Sequence, residues 1–106
     1  MKGKSIPRVL NDTMGITASH VSLTSELIRA ARALLRWEQR QLAKASEVSL
    51  PTVKRLEARP GPLLAHASTV AALKRALEVA GVEFIDENGG GPGVRLRKPQ
   101  RSRQLR

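Results

Sequence analysis

Cysteine is absent from this sequence of 106 residues, tyrosine is absent too, and Trp37 and Phe84 are its only large aromatic side chains. Without thiols, disulfides and thiolate metal sites are excluded, and a reducing cytoplasm is the natural compartment. Two rings cannot form the row of platforms on which successive bases of a single strand stack. A core of Leu, Val, Ile and Ala packs most readily as helices. Long apolar runs are missing as well: nothing approaches the ~20 residues of a membrane span. Ile6, Val9 and Leu10 are interrupted by Pro7, Arg8 and Asn11, which breaks the pattern of a signal peptide. His20 and His66 stand alone, and no nucleophile–base constellation is visible. No catalytic residue, metal, cofactor or small-molecule ligand is therefore expected.

Basic residues are abundant. The formal net charge is +10, which favours a polyanionic partner, nucleic acid first and anionic membrane second. The excess is uneven. Residues 89–106 hold six bases and no acid, whereas residues 23–88 hold ten bases against eight acids. The charge thus argues for nucleic acid without locating a reading surface.

Along the chain, residues 1–23 are polar, lack a helical period and read as a flexible arm. Thr24 or Ser25 suits a helix cap, and Leu27, Ala30, Ala31, Leu34 and Leu35 recur at helical spacing up to about Trp37. A second helix is expected from Gln39 to Ser46, with Leu42, Ala43 and Ala45 inward. Ser49 reads as the cap of a third, whose first turn tolerates Pro51 because its N–H groups have no intrahelical acceptor. Arg59-Pro60-Gly61-Pro62 stops that helix. A fourth begins near Ser68 or Thr69, carries Val70, Leu73, Ala76, Leu77 and Ala80 on one side, and ends at Gly81. Val82–Ile85 and Val94–Arg97 flank a turn-rich stretch and read as a β-hairpin over residues 82–98. Gly89-Gly90-Gly91-Pro92-Gly93 lacks the Lys-Ser/Thr ending of a phosphate loop and opens no helix, so it reads as a turn. Residues 99–106 read as a disordered basic tail.

The informative stretch is Gln39–Glu57. Two short helices crossing steeply need a small residue at the crossing, which Ala43 supplies. They also need apolar pins, which Leu42, Val48, Val53 and Leu56 supply, and a connection of three or four residues. The third helix then turns Leu50, Pro51, Thr52, Lys54 and Arg55 outward. An exposed helix start carrying a guanidinium fits the major groove.

Gln39, Leu42-Ala43, Val48-Ser49, Val53 and Leu56-Glu57 make this segment resemble the helix-turn-helix of the phage repressor and Cro-like (XRE) family over residues 27–81. The resemblance implies a mainly α, four-helix repressor-like DNA-binding domain over residues 24–81, with the hairpin in place of the usual fifth helix. It implies a cytoplasmic bacterial-type transcription regulator, a repressor, that binds double-stranded DNA as a homodimer. On this resemblance Gln39 contacts a phosphate and orients the reading side chains, while Leu50, Pro51, Thr52 and Arg55 touch base edges. Arg40, Lys44, Lys54 and Arg59 flank them as phosphate partners. Blander readings stay open: Arg55 solvated or on a phosphate, Leu50 plugging a gap beside Val48, Thr52 bonding within its own helix. Where the family usually has glycine in the turn this chain has Glu47, and a non-glycine residue at positive φ is mildly costly. The family commonly caps the second helix with Ser or Thr, where this chain offers Trp37-Glu38. With no fifth helix, the hairpin is the expected dimer element through Phe84, Ile85, Val94 and Leu96. The alternative function is a protein-interaction module, an antitoxin or antiactivator on the same scaffold.

Overall fold

The computed structural model describes residues 23–98. The expected arm over residues 1–22 and the tail over 99–106 lie outside them. The first helix, α1 (Ser25–Leu35), starts where Thr24 Oγ1 accepts the Leu27 N–H at 3.1 Å. It stops at Arg36, which takes the left-handed conformation at φ 59°. The N–H groups of Arg36 and Trp37 turn back onto the carbonyls of Ala33 and Arg32 at 3.1 and 2.9 Å, the paired closure of a Schellman motif. Leu27, Ile28 and Ala31 face the core, while Ala30, expected on the inner stripe, is exposed. Leu23, assigned to the arm, is buried and belongs to the core.

The second helix, α2 (Gln39–Ser46), has the expected limits. Its start needs no Ser or Thr: Glu38 occupies the cap position, and its N–H donates to Gln41 Oε1 at 2.7 Å. Leu42 and Ala43 are buried, but Ala45 is exposed and Ser46 takes the inward place. The Ser46 hydroxyl donates to the Leu42 carbonyl at 2.7 Å and accepts the Val48 N–H at 3.3 Å, tying the turn to the helix before it. Helix α3 (Leu50–Ala58) follows after three residues, with Val53, Leu56 and Glu57 inward.

The stretch between α3 and the next helix is pinned along the start of α1. Gly61, at φ 92°, accepts from the Ser25 N–H at 3.0 Å, and Leu63 N–H donates to the Leu23 carbonyl at 3.2 Å. Helix α4 (Ala67–Val79) begins slightly earlier than its composition suggests, because the His66 carbonyl already accepts from Thr69 and Val70. Gly81 then adopts φ 119°, a conformation open in practice only to glycine.

Strands β1 (Val82–Ile85) and β2 (Gly93–Leu96) pair antiparallel, with Val82 opposite Leu96 and Phe84 opposite Val94. Alternation along the strands sends Val82, Phe84, Val94 and Leu96 inward and Glu83, Ile85 and Arg95 outward. Val82 is fully buried, and Phe84, Val94 and Leu96 pack on the helical core. Phe84, Val94 and Leu96, expected as dimer contacts through strand pairing or packing, are half-buried against this chain's own core. Of the four expected contacts, Ile85 alone lies on the outer face. Arg97 locks the arrangement: its N–H bonds the Gly81 carbonyl at 2.8 Å and its guanidinium donates to the Glu78 carbonyl at 2.9 Å. That places a cation at the negative end of α4.

The core runs through every element. Ile28, Leu42, Val53, Leu73, Leu77 and Val82 are its largest fully buried apolar side chains, each contributing roughly 1.5–3 kcal/mol by leaving water. Four helices and a two-stranded hairpin thus share one interior.

Candidate nucleic-acid interface

The pair formed by α2 and α3 is held from beneath by charge. Glu57 faces inward one turn after Val53, and its carboxylate is only 3% exposed. A buried carboxylate demands partners, and α1 supplies one. Arg32 Nε and Nη2 donate to the two oxygens at 2.8 and 2.7 Å, a bidentate grip. Gln39, at the first position of α2, donates from Nε2 to Oε1 of the same carboxylate at 3.0 Å. Arg32 also reaches the Trp37 carbonyl at 2.9 Å. One carboxylate therefore fixes α1, the start of α2 and the body of α3 together.

The opposite side of α3 has a different character. Pro51, Lys54, Arg55 and Ala58 are all exposed, and their i, i+3, i+4, i+7 spacing makes them one strip. The strip is free of acid, because the only acid of α3 is the buried Glu57. Among the described residues neither Lys54 nor Arg55 makes an ion pair or a side-chain hydrogen bond. Both cations are held out on a helix whose start is well defined. Ser49 Oγ accepts the Thr52 N–H at 3.3 Å and donates to Thr52 Oγ1 at 2.9 Å.

The other expected site residues divide. Lys44 and Arg59 are exposed without an ion partner among the described residues. Arg40 is exposed beside Glu38 at 3.6 Å, a solvated pair that contributes little and yields easily. Gln39 is half-buried, and one of its amide N–H groups is committed to Glu57, which leaves the second for another acceptor. Leu50 is half-buried against the core, which favours the gap-filling reading over contact with a thymine methyl. Thr52 is half-buried, with its hydroxyl engaged by Ser49. Of the residues expected to touch base edges, Pro51 and Arg55 are the exposed ones, with Lys54 exposed beside them.

Arg32 and the role of Glu57 escaped the sequence reading. A signal existed: Glu57 falls on the stripe of Val53 and Leu56, where an acid is out of place without a cation.

The connection between α2 and α3 turns at Glu47, at φ 62° and ψ 27°, so the backbone takes the left-handed conformation despite the missing glycine. No protein-family model matches the chain, and no curated protein matches it. None of the described helices is long and apolar enough to cross a membrane.

Proposed function

We propose that this protein is a sequence-specific, double-stranded DNA-binding regulator, a repressor, that lays α3 in the major groove and acts in the cytoplasm as a homodimer. One observation carries the reading: a short helix, fixed from beneath by a neutralised carboxylate, turns an acid-free strip with two cations lacking partners among the described residues toward solvent. The major groove admits a helix of this kind, and Arg55 has the length and planar fork to take guanine O6 and N7. Pro51 sets the helix start and gives apolar contact. Lys44, Lys54 and Arg59, with Arg40 and the free N–H of Gln39, meet phosphates, giving salt-sensitive affinity without sequence information. A lone reading helix of this size needs a second copy about 34 Å away along the duplex to reach repressor affinity.

Selection of binding sites from random duplexes by the purified protein, followed by mobility shifts at moderate salt, tests the proposal. Recovery of a paired half-site motif supports it. Arg55→Ala is expected to lose about 1–3 kcal/mol of preference at one base position. Lys44→Ala weakens all duplexes alike and lowers the salt slope by about one. Enrichment of no sequence at any salt would reject the reading in favour of a scaffold that grips another protein.

A further inference from the structure

The two-copy reading needs a surface, and the hairpin's inner face is already occupied. A different surface has the required form. Between the end of α2 and the second half of α4 lies a recess of about 610 Å³. Its lining is mostly apolar and small: beside Ser46 and the charged Glu47 and Arg75 stand Trp37, Ala45, Ala72 and Ala76. At its edge stands Val79, 78% exposed and the more exposed of the two large apolar side chains the fold leaves in solvent among the described residues. Ala72, Ala76 and Val79 share one face of α4 by helical spacing, so a knob and a hole lie side by side on the same surface.

We infer that this recess seats a second copy of the chain, Val79 of each copy entering the alanine-lined hollow of the other about a two-fold axis. A two-fold interface must be self-complementary, each contact occurring twice with its members exchanged. The rim meets that requirement in charge as well as in shape. It carries one acid, Glu47, and one base, Arg75, neither paired among the described residues. Across the axis, Glu47 of one copy meets Arg75 of the other, twice. In a chain of net charge +10, a balanced rim is where another such chain approaches without like-charge repulsion. An acidic partner or a nucleic acid, in contrast, would meet Glu47 directly. Trp37 gives the contact the large, partly buried aromatic side chain on which interface energy concentrates. No residue of α3 lines the recess, so its occupation leaves the basic strip uncovered.

This inference extends the two-copy reading, and its test reads mass, so the two fail separately. In sedimentation velocity on the full chain, from micromolar to hundreds of micromolar, the wild type is expected to form a dimer. Val79→Glu, at a solvent-exposed position, keeps the circular dichroism of the wild type, and its Tm at concentrations where both are monomeric, while raising the dimer dissociation constant at least about tenfold. Glu47→Lys and Arg75→Glu each weaken the dimer, and the double reversal restores it. A wild type that stays monomeric, or a Val79→Glu chain that stays dimeric, overturns the inference and leaves the recess to another protein or to this chain's own residues 1–22. A dimer sensitive at Val79 that selects no DNA sequence keeps the interface and rejects the DNA-binding function instead.

Discussion

Arg32 and Arg55 carry the same guanidinium into opposite surroundings. Arg32 is gripped by a carboxylate that is almost wholly buried, with hydrogen bonds of 2.7 and 2.8 Å. Arg55 stands in solvent on a helix face without acid. The contrast separates two uses of charge. A cation with an internal partner holds elements in place and contributes little to the surface; a cation without one leaves its donors for a ligand. In α3 both sides of this division fall within four residues, since Glu57 closes the inner seam and Arg55 with Lys54 makes the outer strip.

The largest expected effect comes from breaking the inner side. Arg32→Met leaves Glu57 buried and without its cation, a loss of about 3–5 kcal/mol. At roughly 4–8 °C per kcal/mol for a domain of this size, Tm falls by more than about 12 °C in a calorimetric or circular dichroism melt. Arg32→Met combined with Glu57→Leu should cost far less than Arg32→Met alone, because two apolar side chains replace the pair without stranding a charge. A double variant no more stable than the single one would show that the seam depends on the charges themselves.

The outer side responds in a different observable. Arg55→Ala is expected to leave folding stability within about 0.5 kcal/mol of the wild type, as exposed substitutions do, while sequence preference in DNA binding drops by about 1–3 kcal/mol. A large fall in Tm with Arg55→Ala would place this residue with Arg32 and erase the distinction.

The same division explains what was legible in the sequence. The limits of α2 and the start of α3 are written locally, in a change of period and in Ser49 ahead of Leu50-Pro51-Thr52. The exposed cations follow from where Val53 and Leu56 point. The contact between Arg32 and Glu57 joins residues 25 positions apart, and no local propensity encodes it. The inner stripe of α1 was ambiguous for a related reason. Leu27 and Ala31 fit a face shared with Ala30 or one shared with Ile28, and only the packing of α3, α4 and the hairpin decides for Ile28. The hairpin was readable as strands, but whether its apolar face turned to this chain or to another depended on the helices it met. Glu47 was legible as a misfit at a turn that favours glycine.

That misfit gives a smaller test. Glu47 holds φ 62°, where a Cβ costs about 1–2 kcal/mol, part of which glycine returns as unfolded-chain entropy. Glu47→Gly is therefore expected to stabilise the fold by about 0.5–1 kcal/mol, measured by urea denaturation with an unchanged m-value. The same substitution removes the acid from the recess rim and should weaken self-association. Stability and dimer mass moving in opposite directions in one variant would tie the turn to the interface.

The smallest effect sits at the start of α1, where an exposed acid behaves more like the inner seam than its solvent exposure suggests. Glu26 accepts the Gly61 N–H at 3.1 Å, joining α1 to the connection that follows α3. Its carboxyl is held below the usual value of 4.5, first by its own backbone N–H and then by that of Gly61; desolvation opposes them, and Ser25 and Arg29 add smaller lowering effects. A depressed value means that the folded chain binds the proton less readily than the unfolded chain. The resulting stabilisation is present above about pH 4.5 and is lost as pH falls through the lower, folded value. Glu26→Gln should accordingly melt slightly below the wild type at pH 7, and the two curves should converge as the pH falls from 4.5 through the lower, folded value. A gap that stays constant from pH 7 to pH 3 would assign the loss to the shape of the contact and not to its charge, and Glu26 would then rank with the solvated pairs of the surface.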